Sequence, residues 1–248
     1  MDAIEKQYEE FISTVSHELR TPLTSIRGFS QTMLSSWDKL DDISKKRFLK
    51  IIEEQSNRLI NLVENMLSVT RLSCGRDSLV YKEIQVRPSI ESAVSVIKNQ
   101  YPNKNFVMEI NEKTPTILAD KDKFQQIMTN LIENAAKYSE DESEIKIETG
   151  FCKNCEFVSI KVSDTGVGIS EDDYERIFTK FARIDNPLTR KVQGSGLGLY
   201  ITKNLVEKMG GKIFVKSVPI SQNKFLTTFD VQMPSSDVEK QARAKCRL

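Results

Sequence analysis

Phe11-Ile-Ser-Thr-Val-Ser-His17-Glu18-Leu-Arg-Thr21-Pro22-Leu23 holds the only histidine among the 248 residues. Imidazole titrates between about pH 5 and 8 and is a nucleophile when neutral. A carboxylate, Glu18, follows it directly, and Pro22 lies further on in the same stretch. Phe11, Val15, Leu19, Leu23, Ile26, Met33 and Trp37 step by threes and fours, the stripe of an amphipathic helix. A proline inside such a helix costs about 3 kcal/mol and frees the carbonyl of the fourth residue before it, here Glu18. The pattern therefore predicts a helix bent close to His17. Taken alone, His17 reads more readily as an exposed helical histidine without a role. Glu18 and Pro22 argue for chemistry.

Outward from this stretch, Asp38-Lys39-Leu40-Asp41-Asp42 suits a turn. A second stripe follows at Phe48, Ile52, Gln55, Leu59, Leu62, Met66 and Val69, with heptad spacing and one polar member that suits register control. Two helices of such length run roughly 40–50 Å each at about 1.5 Å per residue. A lone hairpin cannot cover its own apolar faces, so pairing with a second copy into a four-helix bundle is expected. A plain two-helix spacer explains the heptads as well, but leaves Pro22 unexplained.

The whole chain has 36 basic and 35 acidic residues and 39% hydrophobic residues. It can form a core, and its balanced charge gives no reason to expect nucleic acid as a partner. No apolar run is long enough for a transmembrane helix, and no signal peptide opens the chain. Four cysteines without secretory signs suit reduced thiols in the cytoplasm. Met1 to Glu10 enters a helical pattern with no visible cap. The chain is therefore expected to be a fragment, such as the cytoplasmic part of a membrane-bound protein, joined to a membrane only through an upstream segment.

After Gly75 the pattern changes. Leu79, Tyr81 and Ile84-Gln85-Val86 suggest extended segments, and Pro88 to Gln100 a helix. Asn105–Ile110 and Thr116–Ala119 suggest strands, and this alternation marks a second domain. The expected division is residues 1–75, 76–236 and a flexible tail, 237–248. Asp120 to Ser139 predicts a helix capped by Asp120, with Phe124, Ile127, Met128, Leu131, Ile132 and Ala135 buried. Asn130, Asn134 and Lys137 line one edge of it. Asparagine is a poor mid-helix residue, so this edge is either solvated or built to hold a hard cation and phosphate oxygens.

Glu144–Thr149 and Phe157–Val162 alternate apolar and polar, as a hairpin turned at Lys153-Asn154 would. The second strand runs into Asp164-Thr-Gly166-Val-Gly168, where glycines permit close approach and a carboxylate can accept from an exocyclic amine. Gly194-Ser-Gly196-Leu197-Gly198-Leu opens a later helix, a place for an anion at free amides. Between the boxes lie Ile177 to Phe181 and a long polar loop, Ala182 to Gln193, with Arg183, Arg190 and Lys191, which suits a lid. Lys212–Ser217 and Thr227–Met233 complete the sheet. Cys152 and Cys155 lack a second ligand pair and read as incidental neighbours.

These five stretches, in this order, resemble the catalytic core of a sensor histidine kinase of a two-component system. Ser16 to Leu23 is similar to the family's phosphoacceptor box, Asn130 to Tyr138 to its asparagine box, and Asp164–Gly168 and Gly194–Leu199 to its glycine boxes. Phe178 to Phe181 is similar to its phenylalanine box. The resemblance implies an α+β chain: a two-helix hairpin forming a dimeric four-helix bundle, then a Bergerat-type α/β sandwich that binds ATP. It implies that His17 accepts the γ-phosphoryl of ATP and passes it to an aspartate of a response regulator receiver domain. Glu18 would orient the imidazole and take its proton, and Thr21 would position water in dephosphorylation. Asn134 would ligate Mg²⁺ with help from Asn130, and Lys137 and Tyr138 would contact phosphate and nucleotide. Asp164 would bind the adenine amine in a pocket lined by Gly166 and Gly168. Gly194, Gly196, Leu197 and Gly198 would border the phosphates, and Arg183 would steady the transferred group. An ATPase on the same fold and a non-catalytic dimeric scaffold are the competing readings. Asn130 and the intact boxes argue against them.

Overall fold

A computed structural model describes residues 3–74, 78–151, 156–182, 184, 194–221 and 224–236. The chain forms two compact units that divide after Cys74. Arg183, Cys152 and Cys155 with the turn between them, Arg190, Lys191 and the 237–248 tail lie outside the described residues.

The first unit is a hairpin of α1 (Ala3–Ser36) and α2 (Asp42–Ser73), joined through a short 3-10 turn, Trp37–Lys39. Asp41 starts α2 by accepting from the Ser44 amide at 2.7 Å, meeting one of the donors a helix start leaves open. Along the seam Phe29 meets Phe48 with ring centroids 5.1 Å apart, and Leu62, Val69 and Leu72 are buried. The expected α2 stripe is buried or half-buried throughout. The α1 stripe needs a correction. Leu23 and Trp37 are each 50% exposed, while Pro22 is buried. Leu23 shares an eleven-residue period with Ile12 and Leu34, about three helical turns each. They form a second apolar face, and Ile60, Val63 and Leu67 give α2 a similar exposed one. Helix α1 also stays helical through Pro22. Hydroxyl bonds from Thr21 to the His17 carbonyl (3.3 Å) and from Thr24 to the Arg20 carbonyl (2.8 Å) flank the proline. They add side-chain donors where it removes a backbone one.

The second unit begins with β1 (Lys82–Ile84) and α3 (Val86–Gln100). The expected extended run at Ile84-Gln85-Val86 therefore stops at Ile84. Pro88 fits the first turn of a helix that starts two residues before it, because that turn has no backbone donor to satisfy. Next come β2 (Asn105–Glu109), β3 (Ile117–Ala119), α4 (Lys121–Tyr138), β4 (Glu144–Phe151) and β5 (Phe157–Gly166). The unit closes with α5 (Gly198–Lys208), β6 (Lys212–Ser221) and β7 (Lys224–Pro234). Five strands form one sheet in the order β2-β4-β5-β7-β6, and β1 pairs with β3 apart from it. Only the β2–β4 pairing in the large sheet is parallel.

One sheet face is apolar. Ile147, Val162 and Phe229 sit in register, as do Ile160 with Val231 and Val158 with Met233. All are buried, with α4 packed on β4 and β5, α5 on β6, and α3 against α4. Phe124, Ile127, Met128, Leu131 and Ile132 of α4 have no exposure at all. The α4 start is set by Asp120, whose carboxylate accepts from the Asp122 and Lys123 amides, each at 3.1 Å. The other sheet face is polar, with Lys146 between Glu109 and Glu148 at 2.9 Å each and Ser159 bonded to Asp230. An α/β two-layer sandwich results, with helices on one face only.

Candidate functional site

In the hairpin, His17 and Thr21 are exposed, one turn apart on α1. Glu18 turns inward instead. Its side chain is 16% exposed, and its carboxylate accepts from Arg58 of α2 at 3.2 Å. A carboxylate in an apolar seam needs such a partner, because burial disfavours the charged form. Sequence reasoning missed Arg58, which sits beside Leu59 of the heptad stripe and looks like ordinary solvated charge.

In the second unit, α4 carries Asn130, Asn134, Lys137 and Tyr138 along one edge, all half-buried. The Asn134 amide makes no hydrogen bond among the described residues. The Lys137 ammonium pairs with Glu133 one turn earlier at 2.7 Å. The Asn130 amide is fixed twice from α5: its Nδ2 donates to the Thr202 hydroxyl at 2.8 Å, and its amide lies against the α carbon of Gly198. Any side chain at Gly198 would collide with the Asn130 oxygen. The glycine is thus required by the approach of two helices, in addition to any ligand.

Helix α4 ends against β5. Ser139 forms an isolated bridge with Gly166, and the Tyr138 carbonyl occupies the place a Gly166 side chain would take. Asp164 stands two residues earlier, between Ile145 and Thr227 in register, and only 5% exposed. Burial pushes its carboxyl up to about 7, with Lys104 pulling the other way. Lys104 was not foreseen. Its side chain is 5% exposed and pairs with Asp141 at 3.5 Å. It donates to the carbonyls of Ser139 (2.8 Å) and Glu140 (2.7 Å), a cation at the C-terminal end of a helix. In sequence it is one polar residue in a polar turn, and nothing marks it as buried.

Gly168 and Gly196 both take positive φ, 75° and 67°. Gly196 backs onto the main chain of Phe181 and Ala182, so the second glycine box packs on the end of the phenylalanine segment. Phe178 is buried and meets Phe229 edge-on at 6.4 Å. Leu197 is fully buried, and no side chain caps the start of α5 that it precedes. Amides of a first helical turn in this condition suit an anion. Asn130, Gly198 and Leu197 are therefore brought together, as are Tyr138, Asp164 and Gly166. Gly194 lies near the Tyr138 hydroxyl. Among the described residues no cluster of three or more histidine, cysteine or acidic side chains could hold a metal alone. No helix among them is long and apolar enough to cross a membrane.

Comparison with known proteins identifies the family. Residues 7–75 match the His Kinase A (phospho-acceptor) domain, and residues 119–237 match the histidine kinase-, DNA gyrase B- and HSP90-like ATPase domain. The chain belongs to the sensor histidine kinases and carries the catalytic core of that family. It is 34% identical over 211 residues to the signal transduction histidine-protein kinase ArlS of Staphylococcus haemolyticus, covering 85% of this chain and 46% of that protein. It is 32% identical over 215 residues to the sensor protein kinase WalK of the same organism, covering 87% and 35%. The chain thus spans less than half the length of these relatives. Among solved structures, histidine kinase ThkA in complex with response regulator protein TrrA matches with a TM-score of 0.67 at 25% identity, over 92% of this chain and 61% of that one. Full-length ShkA in complex with AMPPNP matches with a TM-score of 0.63 at 26% identity, over 91% and 46%.

Proposed function

We propose that this chain is an ATP-dependent protein-histidine autokinase. One observation carries the reading: a phosphoacceptor hairpin holding the only histidine, exposed at His17, is joined in one chain to an ATP-binding sandwich. A nitrogen of the His17 imidazole attacks the γ-phosphorus of ATP. The bond from that phosphorus to the bridging oxygen breaks, ADP leaves, and the imidazole proton passes to Glu18. Arg58 holds the Glu18 carboxylate in the seam of the hairpin.

In the sandwich, the Asp164 carboxylate accepts from the adenine amine beside Gly166 and Gly168. The uncapped start of α5 at Leu197-Gly198, with Gly194 and Gly196 before it, receives phosphate oxygens. Lys137 exchanges Glu133 for phosphate, and Tyr138 borders the nucleotide. The residues suit Mg²⁺: the Asn134 amide has no protein partner among those described, and amide oxygens are hard donors. Asn134 and the Asn130 oxygen would hold the ion, which neutralises phosphate charge when bound. Asn130 is also an amide where hydrolysis would need a base, so water is not activated there and the group waits for an imidazole. Arg183 is assigned to the transferred phosphoryl by resemblance.

The second apolar faces at Ile12, Leu23 and Leu34 and at Ile60, Val63 and Leu67 support a homodimeric bundle of residues 1–75, with ATP bound by residues 76–236. A receiver domain of a response regulator is the proposed acceptor in the next step, with Thr21 positioning water for the reverse dephosphorylation. The structure of ThkA with TrrA supports this partner class. The activity is assigned to the cytoplasm, where ATP is available. Labelled ATP with Mg²⁺ tests the reading: alkali-stable, acid-labile label on the chain, abolished by His17→Gln, is expected. Acid-stable label, or label that survives His17→Gln, refutes it.

A further inference from the structure

Thr202 is polar, 1% exposed, and stands on the buried face of α5 beside Ile201, Leu205 and Val206. It is four residues from Gly198, so both project from one side of the helix. Together they grip one side chain from another helix. The Gly198 α carbon lies against the Asn130 amide, and the Thr202 oxygen accepts from Asn130 Nδ2 at 2.8 Å. Among the described residues the Thr202 hydroxyl makes no other hydrogen bond, and the atom it meets on Asn130 is the amide nitrogen. Asn130 Oδ1 accepts no hydrogen bond among the described residues.

We propose that Thr202 is a positioning residue that acts through Asn130. It holds the amide nitrogen so that the amide oxygen is the atom presented to a nucleotide-bound cation. This rests on the reading of the sandwich as a Mg²⁺–ATP site and adds to it a residue on α5 that makes no contact with the reacting atoms. It also gives the buried threonine a purpose that packing alone does not, since valine would fill the same volume without a polar group to satisfy.

The test uses the full chain with Thr202→Val, which removes the hydroxyl and keeps the shape, and Thr202→Ser, which keeps the hydroxyl and removes a methyl. ADP affinity is measured by calorimetry with Mg²⁺ and with chelator, beside thermal unfolding and histidine labelling. Thr202→Val is expected to weaken Mg²⁺-dependent ADP binding by about tenfold, the scale of one hydrogen bond, with little change in chelator. Labelling of His17 falls in parallel, and Thr202→Ser recovers both to within about twofold. The proposal is overturned if Thr202→Val binds Mg²⁺–ADP as the parent chain does. It is equally overturned if serine is as impaired as valine, or if valine loses affinity equally with and without Mg²⁺, since each result assigns Thr202 to packing. A parent chain whose ADP affinity ignores Mg²⁺ removes the underlying site reading as well. That failure is distinct because it needs no substitution.

Discussion

The Asp164 carboxyl gives the sharpest handle on the nucleotide site. Burial raises its pKa from the ordinary 3.8 to about 7, against the opposing pull of Lys104. With the folded pKa above the unfolded one, the neutral carboxyl stabilises the empty fold fully below about pH 4. That contribution fades as pH rises through about 7, a swing on the order of 4 kcal/mol. Nucleotide binding should run the opposite way, because a carboxylate is the better acceptor for the adenine amine. At about pH 6 only roughly one in eleven Asp164 side chains is ionised, so ADP affinity should lie about tenfold below its plateau above about pH 8. That ratio is about 1.4 kcal/mol. Calorimetric ADP titrations from about pH 5.5 to 8.5 measure it. Asp164→Asn, which has no proton to lose, serves as reference for the titration of the phosphates themselves. Lys104→Met should shift the midpoint upward, since the cation that opposes burial at Asp164 among the described residues is gone. A ratio of parent to Asp164→Asn affinity that stays flat across this range would refute the argument that burial controls the carboxyl.

Two further outcomes are expected. Gly198→Ala should lower the unfolding temperature, since the added carbon meets the Asn130 amide where α4 and α5 approach, and the displaced amide should lower Mg²⁺–ADP affinity about tenfold. Thermal unfolding and calorimetry on the same protein check both signs, and unimpaired binding contradicts the close approach of α4 and α5. Arg58→Met should destabilise the hairpin by about 1–3 kcal/mol by removing the guanidinium that the half-buried Glu18 carboxylate accepts from. A double-mutant cycle with Glu18→Gln should return a coupling of about 1 kcal/mol, and strictly additive effects deny the pair.

Features that depend on period and local chemistry are legible in the chain alone. The α4 face at Phe124, Ile127, Met128, Leu131 and Ile132 is buried as its spacing requires, and Asp120 caps the helix it precedes. The five boxes were legible because each is a short run of residue types that marks the family in the sequence alone. Where two apolar faces compete, period does not suffice. Leu23 follows the helical step, yet it belongs to the face a single hairpin leaves open, and Pro22 fills the seam in its place. The residues that only the tertiary structure supplied are Arg58, Lys104 and Thr202. They meet Glu18, Ser139 and Asn130 from 40, 35 and 72 residues away. Each satisfies a polar group whose burial is decided when separate elements pack. No local pattern announces such a partner, because the unpaired group does not exist until the chain has folded.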